Sequence, residues 1–178
     1  YEGQVALCNL ARSLDPMRIQ GRVILLPMAN YPACIAGRRT SPLDNGNLNR
    51  SFPGDPEGTV TQQIAFFIEH VLLPKADIVC DLHSGGSSLL YVPTVLMKRP
   101  DDVIRFESQL AALRAFGAPL AYITAGGHGT GAANTLSSAA IRQGPLALGT
   151  ELGGSGTLTP AALQIAERGL RNILVHLG

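Results

Sequence analysis

The sequence predicts an α/β domain: a mostly parallel or mixed sheet with helices on both faces. Short aliphatic runs at residues 23–27, 76–82, 89–97, 120–124 and 146–150 alternate with longer segments of helical period. Alternation of that kind builds strands joined by crossover helices. Several runs are continuously apolar, the pattern of a strand covered on both faces. The chain has 178 residues, 46% hydrophobic and 15% charged, which suits one domain with a single sizeable core.

The elements follow in order. Val5, Leu7, Leu10, Ala11 and Leu14 recur at helical spacing, and Asp15-Pro16 stops that helix. Residues 23–27 read as a short buried strand. Residues 30–55 are rich in Gly, Pro, Asn and Arg and show no period, and a loop of that length in a compact domain is usually functional. Thr59 caps a helix running to about Leu72, with Ile64, Phe67, Ile68 and Val71 on one face. Strands at 76–82 and 89–97 precede a helix from Asp101 or Asp102 to Phe116. A strand at 120–124, a helix over 132–142 and a strand at 146–150 come next. Pro160 opens a final helix over 161–175, in keeping with proline's place in the first turn. No repeat or linker divides the chain.

Composition excludes some functions. A net charge of +1, 5% aromatics and no Lys/Arg run give no footprint for nucleic acid. No apolar run is long enough for a bilayer, so no membrane partner is expected. Cys8, Cys34 and Cys80 lack CxxC spacing and read as free thiols in a reducing compartment, the cytoplasm.

His83 and Glu151 are the leading chemical candidates. Each ends an apolar strand and precedes glycines, Gly85-Gly86 and Gly153-Gly154, so both belong at the carboxyl edge of the sheet, where such folds build sites. An imidazole there can ligate a metal, and a partly desolvated carboxylate can act as a general base. A satisfied polar His and a salt-bridged Glu are the structural alternatives. His70, His128 and His176 offer no second ligand at HxxH or HxxE spacing. Arg38, Arg39, Asn49 and Arg50 in the long loop suit an oxyanion and a carboxylate, unless they are solvated loop residues. Gly127 to Ala132 echoes a dinucleotide fingerprint, but Glu151 follows a later strand than that motif requires. No G-x-S-x-G elbow occurs.

Asn30-Tyr31-Pro32-Ala33, Arg39 to Asp44, Asn47 to Gly54, Asp81 to Gly86 and Glu151 to Gly154 together resemble the succinylglutamate desuccinylase/aspartoacylase family of zinc amidohydrolases. These are relatives of the zinc carboxypeptidases. Asp55 to Val60 and the Glu151-Leu152-Gly153-Gly154 ending are most similar to its N-acetyl-diaminobutyrate deacetylase branch. The resemblance implies a zinc carboxypeptidase-like fold and hydrolysis of the amide bond of a small-molecule N-acyl amino acid. It makes His83 a zinc ligand and Glu151 the base that activates water. Arg39 becomes the oxyanion donor, and Asn49 and Arg50 the grip on a substrate carboxylate. Asn47 falls where carboxypeptidases carry an Asp that orients a ligating His.

The family's other two ligands come from an H-x-x-E motif that would end just before Tyr1, and its small C-terminal β domain has no counterpart here. Residues 1–178 are therefore expected to be a partial catalytic domain for one zinc ion, inactive by itself. Glu2 has no His three residues earlier and is read as a first-turn helix residue. The rival expectation is a non-catalytic module that uses Asn49 and Arg50 to bind a carboxylate.

Overall fold

The computed structural model describes residues 1–125 and 133–178. His128, the segment from Gly127 to Ala132 and the start of the helix expected from residue 132 lie outside the described residues. Four strands, β1 (Ile78–His83), β2 (Thr94–Lys98), β3 (Leu120–Thr124) and β4 (Leu146–Glu151), form one sheet in the order β1-β4-β2-β3. The β1/β4 and β2/β3 pairs are parallel and β2/β4 is antiparallel, so the sheet is mixed. Among the described residues six α-helices accompany it: α1 (Glu2–Ser13), α2 (Tyr31–Ile35), α3 (Val60–Phe67), α4 (Val103–Phe116), α5 (Leu136–Gln143) and α6 (Pro160–Leu177). Among the described residues no helix is long and apolar enough to cross a membrane.

Alternate strand residues feed the two faces. Val79 and Ala147 join Phe52, Ala65, Ile68, Ala139 and Ala140 against α3 and α5. On the other side, Ile78, Cys80, Leu82 and Leu148 join Ala112, Leu113, Phe116 and Ile173 from α4 and α6. Ala6, Leu10, Leu152, Ala166 and Leu170 seat α1 on α6. Gly169 lets Phe116 sit flat on α6, since a Cβ there would lie 2.5 Å from the ring.

Capping residues stop and start the helices as expected. The Asp102 carboxylate accepts from Arg105 N–H at 2.6 Å, and Thr159 accepts from Ala162 N–H behind Pro160. Thr59 N–H donates to Gln62 Oε1 at 2.8 Å. The helix that follows is α only to Phe67, then continues as a π turn (Ile68–Leu72) and a 3₁₀ turn (Leu73–Lys75).

Three expectations need correction. Residues 23–27 form no strand: no described strand hydrogen-bonds to them, and a strand exists only through its ladder. Leu25 packs on α1 and α6, while Ile24 and Leu26 stay exposed. The 30–55 loop is partly helical. Asn30 accepts from Ala33 N–H to start α2, and Asn47 accepts from Asn49 N–H to start a 3₁₀ turn (Leu48–Arg50). The run at 89–97 pairs only from Thr94, leaving Leu89 to Val92 exposed apart from a bridge between Leu90 and Gly154.

Two carboxylates anchor this scaffold. Glu69, 1% exposed, takes a two-pronged grip from Arg142: Nε to Oε1 and Nη2 to Oε2, both 2.8 Å. Burial pushes the Glu69 carboxyl up, but the hydrogen bond and charge of Arg142 outweigh it and leave it below the usual range. Burial likewise opposes Asp44. Its bonds from Thr61 N–H, Gly46 N–H and the Thr61 hydroxyl hold it well below that range. Both folded pKa values lie below their unfolded ones. The stability they add is present above about pH 4 and is lost as pH falls through the folded values. Urea midpoints should therefore drop steeply below about pH 4, and Glu69→Gln should flatten part of that slope. Arg142→Ala, which strands a buried carboxylate, should cost about 3 kcal/mol at neutral pH by urea unfolding.

Candidate active site

Strands β1 and β4 run parallel and in register, and their last residues, His83 and Glu151, are direct Cα partners. Registered partners project to the same face, so imidazole and carboxylate leave the sheet together at its carboxyl edge. The edge is tied down by the backbone. Leu152 N–H donates to the His83 carbonyl at 3.0 Å, and His83 N–H donates to Thr150 Oγ1 at 3.2 Å. Beyond it, Gly85 N–H and Tyr91 N–H both donate to the Gly153 carbonyl at 3.0 Å. The crossing is too tight for side chains: a Cβ on Gly154 (φ +136°) would lie 2.0 Å from the Leu89 carbonyl oxygen.

His83 Nε2 stands 2.9 Å from Asp81 Oδ2, with the ring 42% exposed. That hydrogen bond raises the His83 pKa; burial opposes it, and the charges of Asp81 and Glu151 add to it. Burial raises the Glu151 pKa, with His83 and Arg39 pulling the other way and Asp81 adding to the rise. Glu151 Oε2 is buried, with no hydrogen-bond partner among the described residues. Arg39 is exposed, and its charge acts on both His83 and Glu151.

Asn49 lies inside this cluster. Its Nδ2 donates to Asp81 Oδ2 at 3.3 Å and stands 2.8 Å from His83 Nε2, while its Oδ1 accepts from Leu136 N–H at 2.8 Å. Arg50 is exposed and donates from Nη1 to the Asn49 carbonyl. The Asn47 side chain caps the turn beneath. The Tyr1 backbone nitrogen lies 3.4 Å from Ser84 Oγ, so α1 begins beside His83. Glu2 is indeed a first-turn residue, fully buried against Gly153.

The structure thus gathers His83, Glu151 and Asn49 at one edge, with Arg39 in electrostatic range. Arg50 adjoins through the backbone of Asn49. Sequence reasoning missed Asp81 and the Leu136 amide. Asp81 had a signal, since two residues before His83 in a strand is the same face. The Leu136 contact, 87 residues from Asn49, had none.

A catalytic zinc takes three protein ligands. Among the described residues no group of three His, Cys, Asp or Glu could hold a metal. His83 fits one such position in one of its tautomers: with the proton on Nε2, facing Asp81, Nδ1 is the nitrogen that would take a metal.

The sequence profile of the succinylglutamate desuccinylase/aspartoacylase catalytic domain matches residues 1–177. Over all 178 residues the chain is 49% identical to an N-alpha-acetyl-L-2,4-diaminobutyric acid deacetylase of Halomonas elongata, of which it covers 51%. A succinylglutamate desuccinylase/aspartoacylase from Rhodobacter sphaeroides superposes with a TM-score of 0.92 at 43% identity, over 100% of this chain and 52% of that one. The product-bound ectoine utilization protein EutE (DoeB) of Ruegeria pomeroyi gives 0.93 at 43% identity, over 99% and 53%. A metallo-carboxypeptidase from Burkholderia cenocepacia, 20% identical with a TM-score of 0.62 over 85% and 43%, shares the fold. The architecture is therefore carboxypeptidase-like. Within it, the chain belongs to the succinylglutamate desuccinylase/aspartoacylase family. It spans about half the length of the relatives it matches.

Gly154→Ala should test the edge itself. A methyl group there meets the Leu89 backbone in a strained conformation, and the expected loss is on the order of 3 kcal/mol by urea unfolding.

Proposed function

We propose that the protein carrying this chain is a zinc-dependent amidohydrolase that removes the acyl group from an N-acyl amino acid. One observation carries the reading: His83 and Glu151 are register partners at adjoining strand ends, within the field of Arg39. The relative named as a diaminobutyric acid deacetylase supports the reaction class. His83 would hold the ion through Nδ1. The family resemblance puts the other two ligands in an H-x-x-E motif ahead of Tyr1, whose backbone nitrogen lies beside Ser84. Zinc, when bound, supplies Lewis acidity and brings the pKa of water to about 7.

The chain's own residues do the rest. Glu151, its pKa raised by burial and its Oε2 otherwise unpartnered, takes a proton from the attacking water. As the carbon–nitrogen bond breaks, the same oxygen returns that proton to the amine, leaving a carboxylic acid, which then ionises to water, and a free amino acid. Arg39 faces the charge that develops on the carbonyl oxygen. Arg50, with Asn49 beside it, takes the carboxylate of the amino-acid half. Cys80 takes no part: burial and the Asp81 charge push its thiol up to about 12. The free thiols Cys8, Cys34 and Cys80 suit a cytoplasmic setting.

In the full-length protein, Arg39→Ala should lower kcat by at least about 100-fold, the usual loss for one oxyanion donor. Unchanged turnover with a raised KM would move Arg39 to ground-state binding. Metal analysis should find one zinc in the full-length protein. Its removal by chelation should abolish hydrolysis of N-acetyl-diaminobutyrate, and the 178-residue chain alone should be inactive. A full-length protein that binds carboxylates but neither holds zinc nor cleaves amides would be the non-catalytic module instead.

A further inference from the structure

Arg142 lies in the last turn of α5, and helical side chains lean back toward the start of their helix. Its guanidinium presents its N–H donors in one rigid fork. Nε and Nη2 hold the buried Glu69 carboxylate at 2.8 Å each. The remaining nitrogen, Nη1, donates to the Ala133 carbonyl at 2.7 Å, just ahead of α5. The entry to α5 is thereby fastened to the π turn that carries Glu69. That entry in turn holds the long loop at two points. Leu136 N–H donates to Asn49 Oδ1 at 2.8 Å, and the Asn134 carbonyl accepts from Phe52 N–H at 3.3 Å. The stretch from Asn49 to Phe52, with Arg50 inside it, is bound at both ends to the segment that Arg142 fixes.

We propose that Arg142 is a positioning residue for the carboxylate grip of Asn49 and Arg50. The role rests on the assignment of those two residues to the substrate carboxylate, and it needs no metal. A two-pronged grip works only when both of its members are aimed. Asn49 and Arg50 sit on a 3₁₀ turn of three residues, not on a strand, so their aim follows what the ends of that stretch touch. Arg50 is exposed, and its Nη1 bond to the Asn49 carbonyl makes it follow the Asn49 backbone. Glu69 supplies the fixed point. It is 1% exposed and gripped at both oxygens, so the guanidinium cannot swing away from Ala133 without stranding a buried charge. A residue with no assigned contact to substrate thus sets the direction of two that have one.

Calorimetric titration of the chelator-treated full-length protein with 2,4-diaminobutyrate, the amino acid that deacetylation would release, tests the role. Arg142→Lys keeps a cation beside Glu69 but lacks the fork that serves Glu69 and Ala133 together. It should weaken binding of the amino acid about tenfold. Amide exchange should quicken at Phe52 and Leu136 while the ladder amides of β1 and β4 keep their rates. Leu113→Ala, a core truncation in α4 on the other face of the sheet, should leave the affinity unchanged. Unaltered affinity in Arg142→Lys, or equal weakening by Leu113→Ala, would overturn the inference and leave Arg142 a structural residue alone. A wild type that does not bind the amino acid would overturn the carboxylate assignment and this role with it. Should Arg142→Lys fold poorly, the wild type still decides. Cross-peaks between the Arg142 guanidinium protons and those of Ala133 are expected by NMR, and their absence would overturn the proposal.

Discussion

The parallel pairing of β1 with β4 is the constraint on which the rest of the site depends. Its register makes His83 and Glu151 neighbours, and parallel strands in register present their last residues at one edge. The Leu152 amide on the His83 carbonyl and the Gly153 carbonyl between Gly85 and Tyr91 carry the pairing past the strand ends. A shift of one residue would turn either side chain to the other face of the sheet. Glycines at 85 and 154 are required because two backbones cross there at a distance no Cβ permits.

A second set of contacts carries the long loop to that edge. Asp44 gathers Gly46 and Thr61, which fastens the loop to α3 just ahead of Asn47 and Asn49. The Glu69–Arg142 pair joins the π turn after α3 to α5, and Leu136 at the head of α5 receives Asn49. A buried charge such as Glu69 is costly unless fully partnered, and both Glu69 and the half-buried Asp44 are held below their ordinary pKa by their donors. The polar groups thus act as joints between elements whose apolar faces make up the core, and the joints lead to the site.

Electrostatics then distinguish the two carboxylates beside His83. Asp81 accepts from the imidazole and from Asn49, which suits a residue that holds another in place. Glu151 has an oxygen with no partner among the described residues and a pKa raised by burial, which suits one that exchanges a proton. Two carboxylates beside the same ring thus differ through their surroundings alone.

Periodicity and capping residues were enough to place α1, α4, α6, β3 and β4 closely, because helix and strand periods and N-caps are local properties. The strand-end positions of His83 and Glu151 were legible for the same reason, each following an apolar run and preceding glycines. Residues 23–27 show the limit: their composition is that of a strand, but pairing is a property of neighbours. The antiparallel β2/β4 ladder, the Asp81–His83–Asn49 cluster and the Leu136 amide were decided only by the tertiary structure. Local preference follows from a few adjacent residues. A hydrogen bond across 87 residues follows from how the whole core packs, and nothing in the spacing of its two ends records it.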